Sequence, residues 1–363
     1  MAPGFSSTMA VAVVCIVVLV IVIFWGISKL SLQEQNCATI AASYIDFPKI
    51  TSFNPSDPEY SHNLRDYYVS AAYDVCTAGQ YKNDFVNLCA LKAAIKQGVR
   101  CLDFAVYTVN YEPVVACSSL SEYTVKESYN SIPFGTVLTT INSHAFSNSL
   151  CPNPSDPLIL HIRLMTGLTS TCNKIAQQLQ SGVGTRLLGP RYSFQYQGNN
   201  FGTTPLSSLR GKIVIIVDQS NTSFLDTELE EYVNLASNAP FMRVLRFTDG
   251  VSQCGDKDEL LQYNKKNMSI VLPDRAIGVQ NYSTPEAESL GCQFSALAFQ
   301  VKDAEVQYDI SAFATRGSAF RLRPTEQRWI PVEVKLPALP PPSQSYKDRP
   351  IEGMPFPGIK LSI

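Results

Sequence analysis

The sequence predicts an α/β fold, a parallel (β/α)8 TIM barrel preceded by one transmembrane helix. Three observations predict it. Strand-like runs rich in β-branched residues alternate with helix-like segments. The alternating region covers about 260 residues, the size of one such barrel. An uncharged apolar run occupies residues 9–27.

The composition excludes two broad classes of protein. Hydrophobic residues make up 45% of the 363 residues, which excludes disorder over most of the chain. The formal net charge is -2, without the basic excess of a nucleic-acid-binding protein, so no nucleic-acid partner is expected.

The apolar run is long enough to cross a bilayer, since 19 residues in a helix rise about 28 Å. A cleaved signal peptide is the alternative. The first eight residues carry no Lys or Arg and no clear cleavage site follows, which favours a retained anchor. We therefore predict an N-terminal tail over 1–8, a transmembrane helix over 9–28 and the lipid bilayer as a partner.

The sequence gives little indication of which side of the membrane holds the body of the protein. Lys29 follows the span, and the positive-inside rule then favours a cytosolic body. Sequons at Asn221, Asn267 and Asn281 would permit glycosylation on the other side. Of the ten cysteines, nine lie outside the span and none forms a C-x-x-C pair, so the redox compartment stays open.

The body divides by composition. Residues 29–60 are polar and contain three prolines, which predicts a stalk. Strands are predicted over 99–109, 157–165 and 211–218, and helices over 84–97, 134–146, 172–188 and 226–236. The barrel is predicted over 61–332, and a proline-rich extended tail over 333–363.

An ordered set of segments resembles the phosphoinositide-specific phospholipase C family. GVRCLDFAVY, EPVVACSS, FGTVLTTINSHAF and DPLILHIRL are similar to its X half. YNKKNMSIVLP, GCQFSALAFQ and GSAFRLRP are similar to its Y half. The resemblance implies a distorted TIM barrel that cleaves a phosphodiester with two histidines and a calcium ion.

The resemblance places non-histidine residues at both histidine positions. In VSAAYDVC, Tyr73 stands at the first, and in EPVVACSS, Cys117 stands at the second. Their ordinary pKa values, about 10 and about 8.5, suit neither for acid–base work near neutral pH. We therefore predict no catalytic residues and a degenerate site.

The implied calcium site is also depleted. Asp74 stands at an asparagine ligand, Asp103 and Ala105 at acidic ligands, and Arg163 at a further glutamate. A calcium site needs several oxygen ligands. We expect no metal or other cofactor, and our hypothesis is a buried Asp103–Arg163 ion pair in its place.

The positions that would hold inositol phosphates are depleted as well. Where the family carries lysines, arginine and tyrosine, this chain has Ile216, Asp218, Ile270 and Leu272. None of the three histidines, His62, His144 and His161, falls at a catalytic position. His161 shares a strand face with Arg163 and is interpreted as a core residue.

Three functions follow, in order of preference. The first is a membrane-anchored pseudoenzyme that acts as a scaffold and binds other proteins through the barrel surface and the 333–363 tail. A virion with an internal membrane is one assembly that would suit it. The second is a non-catalytic lipid or inositol-phosphate binding module. The third is an active phosphodiesterase with relocated residues.

Overall fold

The computed structural model describes residues 7–120, 125–193 and 200–331. Within them, parallel strands follow one another in the order β7-β6-β5-β2-β1-β10-β9-β8. β7 and β8 lie beside each other and nearly close the sheet into a barrel, so the predicted TIM-barrel fold is confirmed. The strands are β1 (Tyr67–Ala72), β2 (Cys101–Val109), β5 (Leu158–Met165), β6 (Ile213–Asp218), β7 (Leu235–Ser237), β8 (Met242–Arg246), β9 (Met268–Leu272) and β10 (Phe294–Leu297).

Three further strands pair antiparallel with the barrel. β3 (Glu112–Val115) pairs with β2 and with β4 (Ile132–Pro133), and β11 (Phe320–Leu322) pairs with β1. Helices follow or precede the strands: α1 (Ser7–Ser43), α2 (Leu88–Lys96), α3 (Phe134–His144), α4 (Thr169–Val183), α5 (Lys257–Lys266), α6 (Thr284–Ser289) and α7 (Ala304–Arg316).

The strands are apolar on both faces because helices cover the outside and side chains fill the inside. In β6, for example, Ile213 through Val217 are all buried. α7 shows how the connecting helices are delimited. Asp303 caps its N-terminus by accepting from the Val306 N–H, and Gly317 ends it with a left-handed φ of 76°.

Two of the predicted helices differ in the structure. The helix predicted from Asp84 begins at Leu88, where Asn87 caps it, because the Asp84 carboxylate is buried and holds loop N–H groups instead. The helix predicted over 226–236 is a short turn followed by strand β7. β7 pairs with β6, so tertiary pairing overrides the local pattern there.

The predicted stalk is wrong. α1 continues unbroken through Ser43, and the chain after it packs on the barrel. Apolar side chains spaced through this polar segment are buried, and Phe53 stacks on Tyr60 with ring centroids 5.0 Å apart. The buried residues are Ile40, Tyr44, Ile50, Phe53 and Tyr60. A disulfide joins Cys37 of α1 to Cys89 of α2.

The N-terminal part of α1 has the length and composition that a membrane span needs. Among the described residues it is the one helix that does, with a mean hydropathy of 3.3. Its apolar side chains are exposed, such as Phe24 at 75%. The chain divides into residues 1–329 and 330–363; the predicted 333–363 tail lies outside the described residues.

We expect the Cys37–Cys89 disulfide to stabilise the fold. It closes a loop with a sequence separation of 52 residues, for which loss of the cross-link costs about 2–4 kcal/mol. Cys37→Ser/Cys89→Ser should lower the denaturant midpoint of the full chain in detergent, whereas Cys254→Ser, which removes a free thiol, should not. An unchanged midpoint in the double variant would contradict the assignment.

Candidate active site

Polar side chains gather inside the barrel at neighbouring positions of adjacent strands. In the β2–β5 pairing, Asp103 lies opposite His161 and Ala105 lies opposite Arg163. Asp103 and His161 are completely buried, and Arg163 is 6% exposed. Asp103 and His161 therefore lie at one level of the barrel. Arg163 lies two residues further along the same face of β5, and its long side chain reaches back to Asp103.

Arg163 lies between two carboxylates. Its Nη2 is 2.8 Å from Asp103 Oδ2 and 2.6 Å from Asp74 Oδ1, and its Nε donates to Asp103 Oδ1 at 3.0 Å. The Asp103–Arg163 ion pair predicted from the sequence is therefore present. The fork of guanidinium donors against a carboxylate is the strongest form of such a pair.

Asp74 reaches this position through an unusual backbone. Its φ is 41°, the left-handed region, and its N–H donates to Asp103 Oδ2 at 3.2 Å. Its own Oδ2 is buried without a hydrogen-bond partner. One residue thus approaches Asp103 with its amide and Arg163 with its carboxylate, at the cost of local strain.

The two carboxyl groups titrate in opposite directions. Burial raises the pKa of Asp74 to about 6, because the Arg163 charge offsets the desolvation only in part and the Asp103 charge adds to it. Burial also disfavours ionised Asp103, but the Arg163 charge and the His161 hydrogen bond outweigh it and hold its pKa below the usual range. Desolvation disfavours charged Arg163, yet the two carboxylates outweigh it and raise its pKa.

Tyr73 covers the ion pair. The Arg163 guanidinium lies 4.8 Å from the ring centroid and that of Arg246 lies 5.6 Å away. Arg246 Nη1 donates to the Tyr73 hydroxyl at 3.4 Å. The ring is 4% exposed, and burial raises the pKa of its hydroxyl. Tyr73 therefore fills the space above Arg163 as a neutral phenol.

Cys117, at the second implied histidine position, is a buried thiol. Its Sγ donates to the Tyr81 carbonyl at 3.5 Å. Burial raises the pKa of the thiol to about 12, and the nearby Asp74 charge adds to this. A thiol in this state is neither a nucleophile nor an acid at neutral pH.

Both ring nitrogens of His161 are engaged. Nδ1 lies 2.7 Å from Asp103 Oδ1 and Nε2 lies 2.9 Å from Ser237 Oγ. The other two histidines lie elsewhere: His62 Nε2 contacts Arg328 at 3.2 Å and His144 Nδ1 contacts the Thr140 carbonyl at 3.0 Å. His161 is thus a core histidine with both partners, as interpreted from the sequence.

The positions expected to grip a substrate do not join this cluster. Ile216, Ile270 and Leu272 are completely buried in the core. Asp218, at the end of β6, accepts from the Ser220 N–H at 2.9 Å and from Asn238 Nδ2 at 2.8 Å. Three apolar side chains and one carboxylate committed to a local turn offer nothing to a phosphate.

The residues present do not fit a calcium ion. Ala105 supplies no oxygen, and both available carboxylates are bonded to Arg163. Across residues 7–120, 125–193 and 200–331, no three His, Cys, Asp or Glu side chains group as metal ligands. A guanidinium in the place of the cation supplies the charge that the carboxylates need.

Sequence reasoning missed three members of the cluster. Ser237 and Arg246 come from β7 and β8, whose places in the barrel are set by strand order. Tyr81 comes from the loop after β1, and its ring lies edge-on to Tyr73 with centroids 5.7 Å apart. The buried strand β7 coincides with the segment predicted as a helix, so Ser237 had no signal. Arg246 lies in a short segment, MRVLR, with a single β-branched residue, so the sequence did not mark it as a member of the cluster.

The family model for the phosphatidylinositol-specific phospholipase C X domain matches residues 60–219. This stretch contains Tyr73, Asp74, Asp103, Cys117 and Arg163. Residues 60–219 form an X domain of the phosphatidylinositol-specific phospholipase C family, within a TIM barrel of that fold.

Solved structures agree with this fold. The chain is similar to L. pealei PLC21, at 18% identity with a TM-score of 0.61, and to S. officinalis PLC21, at 18% identity with a TM-score of 0.60. In each case 74% of this chain and 38% of the other chain are covered. This phospholipase C-like chain thus spans well under half the length of those proteins. No curated protein sequence matches it.

Removing the cation should destabilise the barrel strongly. Arg163→Leu leaves two buried carboxylates without a counter-charge, a change that costs about 3–5 kcal/mol. Asp74→Asn keeps the Asp103–Arg163 pair and should cost less. The urea midpoints of both variants measure this; equal losses, or none for Arg163→Leu, would contradict a central role for the arginine.

The pH dependence of stability should change when Asp74 is replaced. With a pKa of about 6 in the folded state, Asp74 binds a proton more tightly folded than unfolded. Its contribution to stability therefore falls as pH rises from about 4 to about 6, by about 1–3 kcal/mol. Asp74→Asn removes that fall. The free energy of unfolding of the variant, relative to that of the parent protein, should therefore rise between pH 4.5 and pH 7. A constant difference in the free energy of unfolding would contradict the raised pKa.

Proposed function

We propose that this protein is a membrane-anchored, catalytically inactive phospholipase C-like protein whose barrel is a structural and interaction module. The observation that carries the proposal is the position of Arg163. Its guanidinium bonds Asp74 and Asp103 at 2.6 and 2.8 Å, under the ring of Tyr73.

Phosphodiester cleavage through a cyclic intermediate needs a base for the attacking hydroxyl and an acid for the leaving oxygen. Tyr73 is a buried phenol with a raised pKa, and the pKa of Cys117 is raised to about 12. His161 has both ring nitrogens bonded to partners inside the core. None of these three side chains is free to exchange a proton with a substrate near neutral pH.

Charge stabilisation at the phosphorus is the other requirement. The cluster holds two cations. Arg163 is balanced by two carboxylates and covered by Tyr73, and Arg246 Nη1 donates to the Tyr73 hydroxyl and to the Pro273 carbonyl. The first of these, Arg163, lies where the resemblance implies a metal ligand. The guanidinium therefore stabilises the protein rather than a bound anion. This supports loss of catalysis on grounds independent of the missing histidines.

The alternative of a non-catalytic phosphoinositide-binding module has less support. Ile216, Ile270 and Leu272 are buried and apolar where a phosphate grip would need cations. The apolar α1 and the proline-rich residues 333–363 favour a scaffold held at a membrane, with other proteins as partners. An assembly that contains a membrane, of which a virion is one example, is the setting we propose.

Phosphatidylinositol turnover tests the proposal. The full chain, in mixed micelles with phosphatidylinositol and with or without calcium, should release no inositol phosphate above a preparation without protein. The reason is that Tyr73, Cys117 and His161 are buried and engaged inside the core, and the Asp74 carboxylate is bonded to Arg163. Robust turnover abolished by His161→Ala, but retained in His144→Ala, would overturn the proposal.

Binding of phosphoinositide vesicles is a separate readout. We expect vesicles with and without phosphoinositide to take up the protein equally. A preference for phosphoinositide without turnover would favour the binding module instead.

A further inference from the structure

The direction of α1 relative to the barrel places the span at one end of the barrel. Three contacts along α1 and the chain after it show this direction. First, Lys29 Nζ lies 5.9 Å from the ring of Tyr129, which lies in the loop between β3 and β4. Tyr44 then donates to the Phe299 carbonyl at 2.7 Å, and the Thr51 N–H bonds the Gly317 carbonyl at 3.0 Å. Phe299 follows the carboxyl end of β10, and Gly317 ends the helix after it.

The chain from residue 29 to residue 51 thus passes from the carboxyl-end side of the barrel strands to their amino-end side. Residues 9–28 continue the same helix in the opposite direction, away from the barrel. Lys29 directly follows the predicted span and its Nζ lies 5.9 Å from the Tyr129 ring, so Tyr129 lies near the end of the span.

Three contacts hold α1 to this end of the barrel. Cys37 is bonded to Cys89 of α2. Asn36 Nδ2 donates to Asp84 Oδ1 at 2.8 Å. Gly79 lies so close to Asn36 and Asp84 that a Cβ there would overlap both side chains. A covalent bond beside a partly buried hydrogen bond leaves little freedom between helix and barrel.

The same aspartate holds the loop between β3 and β4. The Asp84 carbonyl accepts from the Tyr129 N–H at 2.8 Å. The loop also carries large apolar side chains that are exposed: Leu120 at 44%, Val125 at 41% and Tyr129 at 42%. Apolar and aromatic side chains at this level suit the interfacial region of a bilayer.

We propose that the Cys37–Cys89 disulfide locks the spanning helix to the barrel, on the oxidising side of the membrane, with the side chains of Leu120, Val125 and Tyr129 held against the lipid. The occupant of this surface is the bilayer that α1 itself crosses. The proposal rests on the membrane anchor of the proposed function, and it is independent of the loss of catalysis.

The disulfide also decides the side of the membrane. Structural disulfides persist in oxidising compartments and are rare in the cytosol. The barrel then lies opposite to the side that Lys29 predicts. Asn221 Nδ2 and Asn281 Nδ2 each donate to backbone carbonyls, of Leu164 and Ala298, so these two sequons are engaged in the fold.

Site-specific probes on the full chain in lipid vesicles test the orientation. Val125→Cys and Leu150→Cys are matched in exposure, at 41% and 42%, but Leu150 lies between α3 and β5, at the amino-end side. Both are made in a Cys15→Ser/Cys254→Ser background, which removes the two free thiols that are not buried in the described residues. Each carries a fluorescent label, and the vesicles contain a lipid-borne quencher.

We expect quenching at Val125 to exceed quenching at Leu150 severalfold, and the difference to shrink when Cys37→Ser/Cys89→Ser is added. Should that variant not fold, Asp84→Asn weakens the same clamp without removing the bond. Equal quenching at both positions in the intact chain would overturn the proposal.

The compartment is read from thiol labelling of membranes in which the chain was made. We expect Cys37 and Cys89 to react with a polymer maleimide only after reduction, and the barrel to be protected from added protease until the membrane is opened. Free thiols at both positions would overturn the proposal. Release of the chain by alkaline carbonate would instead show that α1 is no anchor, which separates failure of the anchor from failure of the clamp.

Discussion

The interior of this barrel depends on one guanidinium. Arg163 is the counter-charge for both Asp74 and Asp103, and these carboxylates fix the backbone after β1, the tautomer of His161 and the position of Tyr73. A buried ion pair of this kind contributes little net stability compared with an apolar core. Removal of one partner is nevertheless strongly destabilising, because it leaves a buried charge without a counter-charge. The cluster is therefore held as a unit.

This constraint links the separate changes at the implied active site. With an arginine at the level of the cation, a metal ion is not needed to balance the carboxylates, and an aromatic ring can close over the charge. Tyr73 does so, with its ring centroid 4.8 Å from the Arg163 guanidinium. Cys117 packs behind it as a neutral thiol. The proposed loss of catalysis is therefore compatible with a stable barrel.

Much of this was accessible from the sequence. Strand-like and helix-like runs that alternate along the chain predict the barrel. The family resemblance predicts the Asp103–Arg163 pair, and both residues lie on buried strands, whose register is strongly fixed. The stalk was mispredicted because its buried residues, such as Ile40 and Tyr44, are too widely spaced to give a periodic signal in a polar segment. Ser237 was missed because β7 is three residues long and its pairing with β6 is set by tertiary contacts. The residue pattern of a segment predicts the secondary structure of that segment alone. The cluster is formed by side chains from strands that are far apart in the chain.

Calcium binding tests the central claim most directly, because it asks whether the two carboxylates are committed to Arg163. Titration calorimetry on the purified full chain in detergent should show no saturable heat of calcium binding up to millimolar concentrations. Saturable binding that Asp103→Asn abolishes would contradict the account, since the carboxylate would then be available to a cation from solution.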